Sequence, residues 1–374
     1  MSWEQIEREA RGQTVYFNAW AGEAAINRYI GWASREVAQR YRVQLVHVKL
    51  ADTAVAVNRI LGEQAAGRNR GGSVDLIWIN GANFASLLQH RLLYGPWTEA
   101  LPNARWLDKG NPTVSIDSTL PTNGFELAWG GARFVLFYDS IAVREPTPRD
   151  PQALLHWIRA HPGRFTYPQP PDFTGTSFLE QMLVLLVADR DRLQHPTGED
   201  FDVVARPLWT WLDAARPYLW RRGRLYPRSA PEQRRLLGDG EVDWAPSFNP
   251  FEANRAVRAG DLPDTIRATY FRDGVLSNSH FLAIPFNARA RAGAMVVANF
   301  LLSPEAQARK ADESVWGDPT VLEIQRLAPA EQRRFAGLKG GPATPPMDAP
   351  VRMEPHPSWT SALNRAWIER YGAQ

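Results

Sequence analysis

Ser73-Val74-Asp75-Leu76-Ile77-Trp78-Ile79-Asn80-Gly81-Ala82-Asn83-Phe84 sets an apolar run against a polar, glycine-containing stop. From Val74 to Ile79 every residue except Asp75 is apolar, and most are β-branched or aromatic. That composition predicts a short strand covered on both faces, as in a parallel sheet. The polar stop Asn80-Gly81-Ala82-Asn83 leads into a helical pattern, with Asn83 as a possible N-cap. In open α/β sheets, ligands bind in the loops that follow the carboxyl ends of strands. Asn80 and Asn83 can donate and accept hydrogen bonds there, and Gly81 allows close backbone approach.

The same arrangement recurs on both sides of this stretch. A strand over 13–20 precedes a Trp20-Ala21-Gly22-Glu23 loop and a helix over 24–41, with Ile26, Ile30, Ala33 and Val37 on one face. A strand over 43–50 and a helix capped by Asp52 or Thr53 complete a β-α-β-α-β order, which favours a parallel sheet with right-handed crossovers. Further strands are expected at 114–120 and 133–138, at 165–167, at 241–246, at 266–271 and at 278–285. Helices are expected at 151–160, 178–187, 202–216, 231–238 and 288–302, with Pro304 opening another as its first residue and a last one at 358–371. The length of 374 residues suits two domains. The chain passes between them near 120–132 and again near 272–285. The expected division is 1–125 with 280–374 as lobe 1 and 126–279 as lobe 2.

Composition excludes several classes. The chain has 44% hydrophobic and 22% charged residues and a net charge of +3, with Lys and Arg scattered among acidic residues. No nucleic-acid surface is expected, and no apolar run is long enough to span a bilayer. Cysteine is absent, which removes thiol catalysis, thiolate metal sites and disulfides. The seven histidines are isolated, so no histidine metal site is expected. There is no nucleophile elbow, Walker loop or zinc-protease motif, and no cofactor is expected.

The loops at predicted strand ends instead carry amides, hydroxyls, glycines and aromatics. The candidate ligand-binding residues are Asn18, Trp20, Gly22, Asn80, Gly81, Asn83, Trp129, Gly130, Thr174, Thr176, Ser177, Trp244, Ser247, Phe248, Asn249, Asn278 and Ser279. Such groups orient a ligand without proton transfer. The Thr174–Ser177 segment leads into a predicted helix, at whose start free amides and the dipole favour a polar or anionic group. Glu126, Asp243 and His280 lie beside these loops and are the titratable groups to watch.

These residues resemble those of extracytoplasmic solute-binding proteins of ABC importers. Val15-Tyr16-Phe17-Asn18-Ala19-Trp20-Ala21-Gly22, Ile26-Asn27-Arg28-Tyr29-Ile30, Gly71–Gly81 with Asn83-Phe84, and Leu93-Tyr94-Gly95-Pro96-Trp97 resemble the YnjB-type family. The resemblance implies an α/β, two-lobed, type II periplasmic-binding-protein fold. Each lobe would be a mixed, mainly parallel sheet flanked by helices, with two crossings at the hinge. It also implies a periplasmic receptor, exported by a leader not seen in this sequence, that works as a monomer and delivers a small molecule to membrane permease subunits. A thiamine-like ligand is the leading expectation, with Trp20, Trp129, Trp244, Phe248 and Glu126 as its stacking and charge partners. The alternatives are a ligand-sensing domain and a transferase of the porphobilinogen deaminase type, whose chemistry needs a thiol that this chain lacks.

Overall fold

The computed structural model describes residues 1–144, 146–338, 340–345 and 349–372. The chain divides into two compact units, Met1–Gly131 with Asn278–Leu338, and Ala132–Ser277 with Lys339–Gln374.

Unit 1 opens with α1 (Trp3–Ala10), whose Ser2 and Gln5 side chains cap each other's backbone amides. β1 (Thr14–Trp20), α2 (Ala24–Tyr41), β2 (Gln44–Leu50), α3 (Ala54–Ala65) and β3 (Leu76–Ile79) follow. β1 is central and pairs in parallel with β2, Thr14 opposite Gln44, and with β3, Phe17 opposite Leu76. The apolar run therefore forms the expected buried strand: Leu76, Ile77 and Ile79 are fully covered. Asp75, just before it, is also buried and accepts the amides of Tyr16, Arg289 and Ala290. After α4 (Gly81–Gln89), the segment expected as a strand at 114–120 forms a one-turn 3₁₀ helix and a tight hairpin of β4 (Ile116–Asp117) and β5 (Leu120–Pro121). The polar residues between them turn the chain back. β6 (Glu126–Arg133) then carries the chain out of unit 1.

In unit 2, β7 (Val135–Asp139), α5 (Pro151–Ala160), α6 (Phe173–Leu186), α7 (Phe201–Ala215), α8 (Ala230–Gly238), β8 (Trp244–Ser247), α9 (Glu252–Ala259) and β9 (Ile266–Thr269) follow in order. β7 lies between β8 and β9 and is antiparallel to both. This sheet is thus antiparallel at each pairing, where a mainly parallel one was expected. β8 and β9, joined through α9, run the same way, but β7 sits between them. Alternate β7 residues enter two cores, Leu136 and Tyr138 on one face and Val135 and Phe137 on the other. Phe165-Thr166-Tyr167 is buried yet forms no strand. The Phe165 carbonyl accepts the Trp220 amide and the Thr166 carbonyl accepts Gln233 Nε2, so loop and side-chain donors replace a ladder.

β10 (Val275–Ala283) returns the chain to unit 1 and pairs antiparallel to β3, Phe281 opposite Ile79; β6 pairs with β10. α10 (Arg291–Leu301), α11 (Pro304–Ala311) and α12 (Pro329–Gln332) complete unit 1, with Ser303 capping α11 ahead of Pro304. The tail departs from the expected assignment of 280–374 to lobe 1. After β11 (Val351–Arg352), α13 (Pro357–Tyr371) packs on α6 of unit 2. Trp359, Leu363, Trp367 and Tyr371, four residues apart, form one buried stripe, and Trp367 Nε1 donates to the Tyr167 hydroxyl at 3.0 Å. That stripe decides which unit holds the C-terminus.

Candidate functional site

Because β1, β2 and β3 are parallel, Trp20, Leu50 and Ile79 end at one edge of the unit 1 sheet. The loops beyond this edge carry the polar groups. The Trp20 ring folds over Gly22: a Cβ there would lie 2.1 Å from Trp20 Cζ2. Asn27 Nδ2 donates to the Ala21 carbonyl at 3.1 Å and pins the loop to α2. Asn18 is different. It is buried within β1, where its Nδ2 donates to the Tyr16 carbonyl and its Oδ1 accepts from Arg59, both at 3.3 Å.

α4 begins at Gly81, so Asn80 and not Asn83 holds the N-cap position, and the Asn80 side chain makes no cap bond. The Asp117 carboxylate accepts the Gly81 amide instead, at 2.6 Å. Gly81 has a φ of +56°, and a Cβ on it would stand 3.6 Å from Ser118 Oγ. Neither the Asn80 nor the Asn83 side chain makes a hydrogen bond among the described residues, and both are partly exposed. Thr119 Oγ1, in the turn of the hairpin, is buried and has no hydrogen-bond partner among the described residues. Glu126 begins β6 and is 2% exposed, and neither carboxyl oxygen finds a hydrogen bond among the described residues. Burial first, and the nearby Asp117 charge second, hold its carboxyl well above the usual carboxylate range. Asn278 and Ser279 enter the same end of the sheet on β10, and Ser279 Oγ lies 3.1 Å from Thr113 Oγ1.

Asp117, Ser118 and Thr119 were not singled out from the sequence. The available signal was three short polar residues enclosed by Ile116 and Leu120, a turn signature.

Deeper in unit 1, Trp129 is fully buried among Trp78, Trp316 and His280, with ring centroids 5.1–5.5 Å away. Lys310, 0% exposed, pairs with Asp318 and lies 5.6 Å over the Trp129 ring. His280 Nε2 lies 3.0 Å from the same Asp318 oxygen. Gly130 is required here, because a Cβ would fall 1.9 Å from His280 Nε2 and 2.2 Å from Asp318 Oδ2. Trp129, Gly130 and His280 thus form part of a packed ionic and aromatic core.

Unit 2 engages most of its candidate side chains internally. The Asp172 carboxylate caps α6 by accepting the amides of Thr174 and Gly175. That places a negative group where an anion was expected. Thr176 Oγ1 donates to Asn364 Oδ1 at 2.7 Å, and Ser177 Oγ donates to the Phe173 carbonyl at 2.8 Å. Trp244 is buried against Tyr138 and Trp157. Ser247 Oγ donates to Glu252, and Asn249 Oδ1 accepts the Phe251 amide, so both side chains are engaged within the turn that leads into α9. Asp243 is held by Arg164. Phe248 is buried but meets the edge of Phe173, which is 47% exposed. Among the described residues, no group of three or more His, Asp or Glu is placed to hold a metal ion.

Across unit 1, then, the Asn80 and Asn83 amides and the Glu126 carboxyl make no hydrogen bond among the described residues, and this suits a polar guest. The model of the bacterial extracellular solute-binding protein family matches residues 36–324. Protein YnjB of Escherichia coli (strain K12) is 47% identical over 372 residues, 99% of this chain and 94% of that one. Two solved structures share the fold at low identity. The periplasmic binding protein AfuA from Actinobacillus pleuropneumoniae, with fructose-6-phosphate bound, is 11% identical with a TM-score of 0.67, covering 97% of this chain and 99% of that one. PotD, the spermidine/putrescine ABC transporter substrate-binding protein of Streptococcus pneumoniae, is 12% identical with a TM-score of 0.64, covering 96% and 98%. The chain belongs to the bacterial extracellular solute-binding protein family, is of the YnjB type, and has the type II periplasmic-binding-protein fold.

Proposed function

We propose that this protein captures a small organic cation of the thiamine type in the periplasm, as a monomer, and hands it to the permease subunits of an ABC importer without transforming it. Membership of the solute-binding family supports extracytoplasmic capture for an importer. The choice of a cation rests on one observation, the buried Glu126 carboxyl with both oxygens unpartnered beside Asp117. An isolated buried carboxylate is costly, and a cation arriving beside it offsets that cost. Asn80 and Asn83 offer amides to polar substituents, and Trp20 offers a ring face for stacking. The fold takes ligands of either charge: the name of PotD gives polyamines, and that of AfuA a sugar phosphate. The two carboxyls favour the first kind.

Titration calorimetry of the whole chain against thiamine, putrescine and fructose 6-phosphate tests this. Thiamine should give saturable heat and the sugar phosphate none. Glu126→Gln should weaken cation binding about tenfold or more, the effect of losing a hydrogen bond to a charged group. Cation capture should also release a proton, because pairing draws the Glu126 carboxyl back toward its ordinary range. Heats measured in buffers of different ionisation enthalpy reveal that release. Absence of heat with any cation, or equal affinity in the variant, removes the proposal.

A further inference from the structure

We propose that the turn spanning 216–224 in unit 2 is a binding site for a phosphate-class anion, gripped by the guanidinium groups of Arg216, Arg222 and Arg224. These three side chains and Pro217 line an open hollow of about 360 Å³. Three consecutive residues turn through the left-handed region there: Arg221 at φ 51°, Arg222 at 57° and Gly223 at 61°. Gly223 has a local reason, since a Cβ would lie 2.5 Å from Arg216 Cγ and 2.8 Å from the Arg216 carbonyl. Arg221 has one as well, an ion pair with Glu241 and a place over the Trp220 ring, but Arg222 has none. Residues with a Cβ are disfavoured in this region, where Gly or Asn is the ordinary choice. Strain retained at an arginine points to a use for its side chain.

The charge distribution agrees. Between Asp213 and Glu232 the chain holds five arginines and no acidic residue. Asp213 is engaged by the Tyr371 hydroxyl at 2.7 Å. Glu241 accepts Trp220 Nε1 at 2.9 Å and lies 3.7 Å from Arg221, which draws Arg221 away from the hollow. Arg228 lies 3.5 Å from Glu232. Arg216 is fixed in place: its Nε donates to the Gly223 carbonyl at 3.2 Å, and its guanidinium stacks 5.3 Å over Tyr371. The exposed Arg222 and Arg224 side chains make no ion pair or hydrogen bond among the described residues. One anchored and two free guanidinium groups around one hollow repel each other until an oxyanion joins them. A tetrahedral phosphate, with acceptors on every side, matches that set. A soluble ester and the headgroup of an anionic phospholipid both present such a phosphate, and the two assays below separate them.

Calorimetry of the full chain with inorganic phosphate, against sodium chloride at equal ionic strength, is the first measurement. Co-sedimentation with phosphatidylglycerol vesicles, against pure phosphatidylcholine, is the second. One phosphate should bind per chain, and R222G and R224Q should each weaken it about tenfold or more. In phosphate-free buffer R222G should melt at or above the wild-type temperature, because glycine relaxes the turn, so its loss of binding is not misfolding. Binding of phosphate alone assigns a soluble ester. Arg222-dependent sedimentation with the anionic vesicles as well assigns the headgroup. Equal phosphate binding by wild type and R222G, or no binding in either assay, overturns the site.

Discussion

Glu180→Gln should stabilise the protein above pH 7 and leave it nearly unchanged at pH 5. Glu180 lies on α6, 4% exposed, facing α13, where the Thr360 hydroxyl donates to its Oε1 at 2.6 Å. Burial first, and the charge of Glu354 second, push its carboxyl up to about 8 from an ordinary value of 4.5. The folded state therefore holds a proton that the unfolded chain releases. Stability from this proton is complete below pH 4.5, declines as pH rises, and is gone above pH 8. At about 1.4 kcal/mol per pH unit, that interval sets a ceiling of ~5 kcal/mol. Structural relaxation and water entry reduce it, and ~2 kcal/mol is the expected gain at pH 9. Glutamine keeps the acceptor for Thr360 and carries no charge to desolvate. Thermal melts followed by circular dichroism at pH 5, 7 and 9 measure the effect. At about 2–4 °C per kcal/mol, the variant should melt several degrees above wild type at pH 9. Parallel melting curves for the two proteins across this range would refute the reasoning.

Gly22→Ala should push the Trp20 indole off its seat, since the new Cβ would meet Cζ2 at 2.1 Å. Ligand affinity should fall while the melting temperature changes by less than about 1 kcal/mol equivalent, as calorimetry and thermal melts of one preparation would reveal. Lys310→Met should destabilise unit 1 by about 3–5 kcal/mol, because it leaves the buried Asp318 without its cation. The double variant with Asp318→Leu should recover much of that loss in a urea titration; a double variant no better than the single one argues against the pairing. Gly130→Ala should be at least as damaging as a typical core overpacking, about 1–3 kcal/mol, since its Cβ collides with both His280 and Asp318.

Periodicity carried much of the fold. Helices at Ala24–Tyr41 and Pro151–Ala160 stand where the sequence predicts, because each pairs an apolar stripe with a defined start. The strand at Leu76–Ile79 was equally legible, since an apolar run closed by Asn80-Gly81 has few other uses. What failed depended on partners distant in sequence. Phe165-Thr166-Tyr167 has the composition of a strand, yet its carbonyls are taken by Trp220 and Gln233. The sequence assigns the tail to lobe 1, whereas the α13 stripe packs on a helix nearly two hundred residues earlier. At the site, residue type identified polar loops but not which groups the fold would satisfy. Thr176, Ser177, Ser247 and Asn249 read like Asn80 and Asn83, but only the latter two keep their side chains unengaged. The Asp117–Thr119 turn was hidden inside an apparent strand.

Glu180 and Glu126 are both buried carboxyls with raised proton affinity, and their surroundings assign them different consequences. Glu180 sits between packed helices and has a hydroxyl partner. Glu126 begins β6 near Asp117, and neither of its oxygens finds a hydrogen bond among the described residues. Both favour folding at low pH by the same electrostatics. On the proposed function, Glu126 exchanges its proton for a ligand's charge and Glu180 does not. Cation affinity should therefore rise with pH as the competing proton is lost. Glu126→Gln should flatten that dependence, while Glu180→Gln should leave it intact and alter only the pH dependence of melting. If Glu180→Gln flattens the affinity profile as well, the pH effect reports global stability and the special place given to Glu126 is wrong.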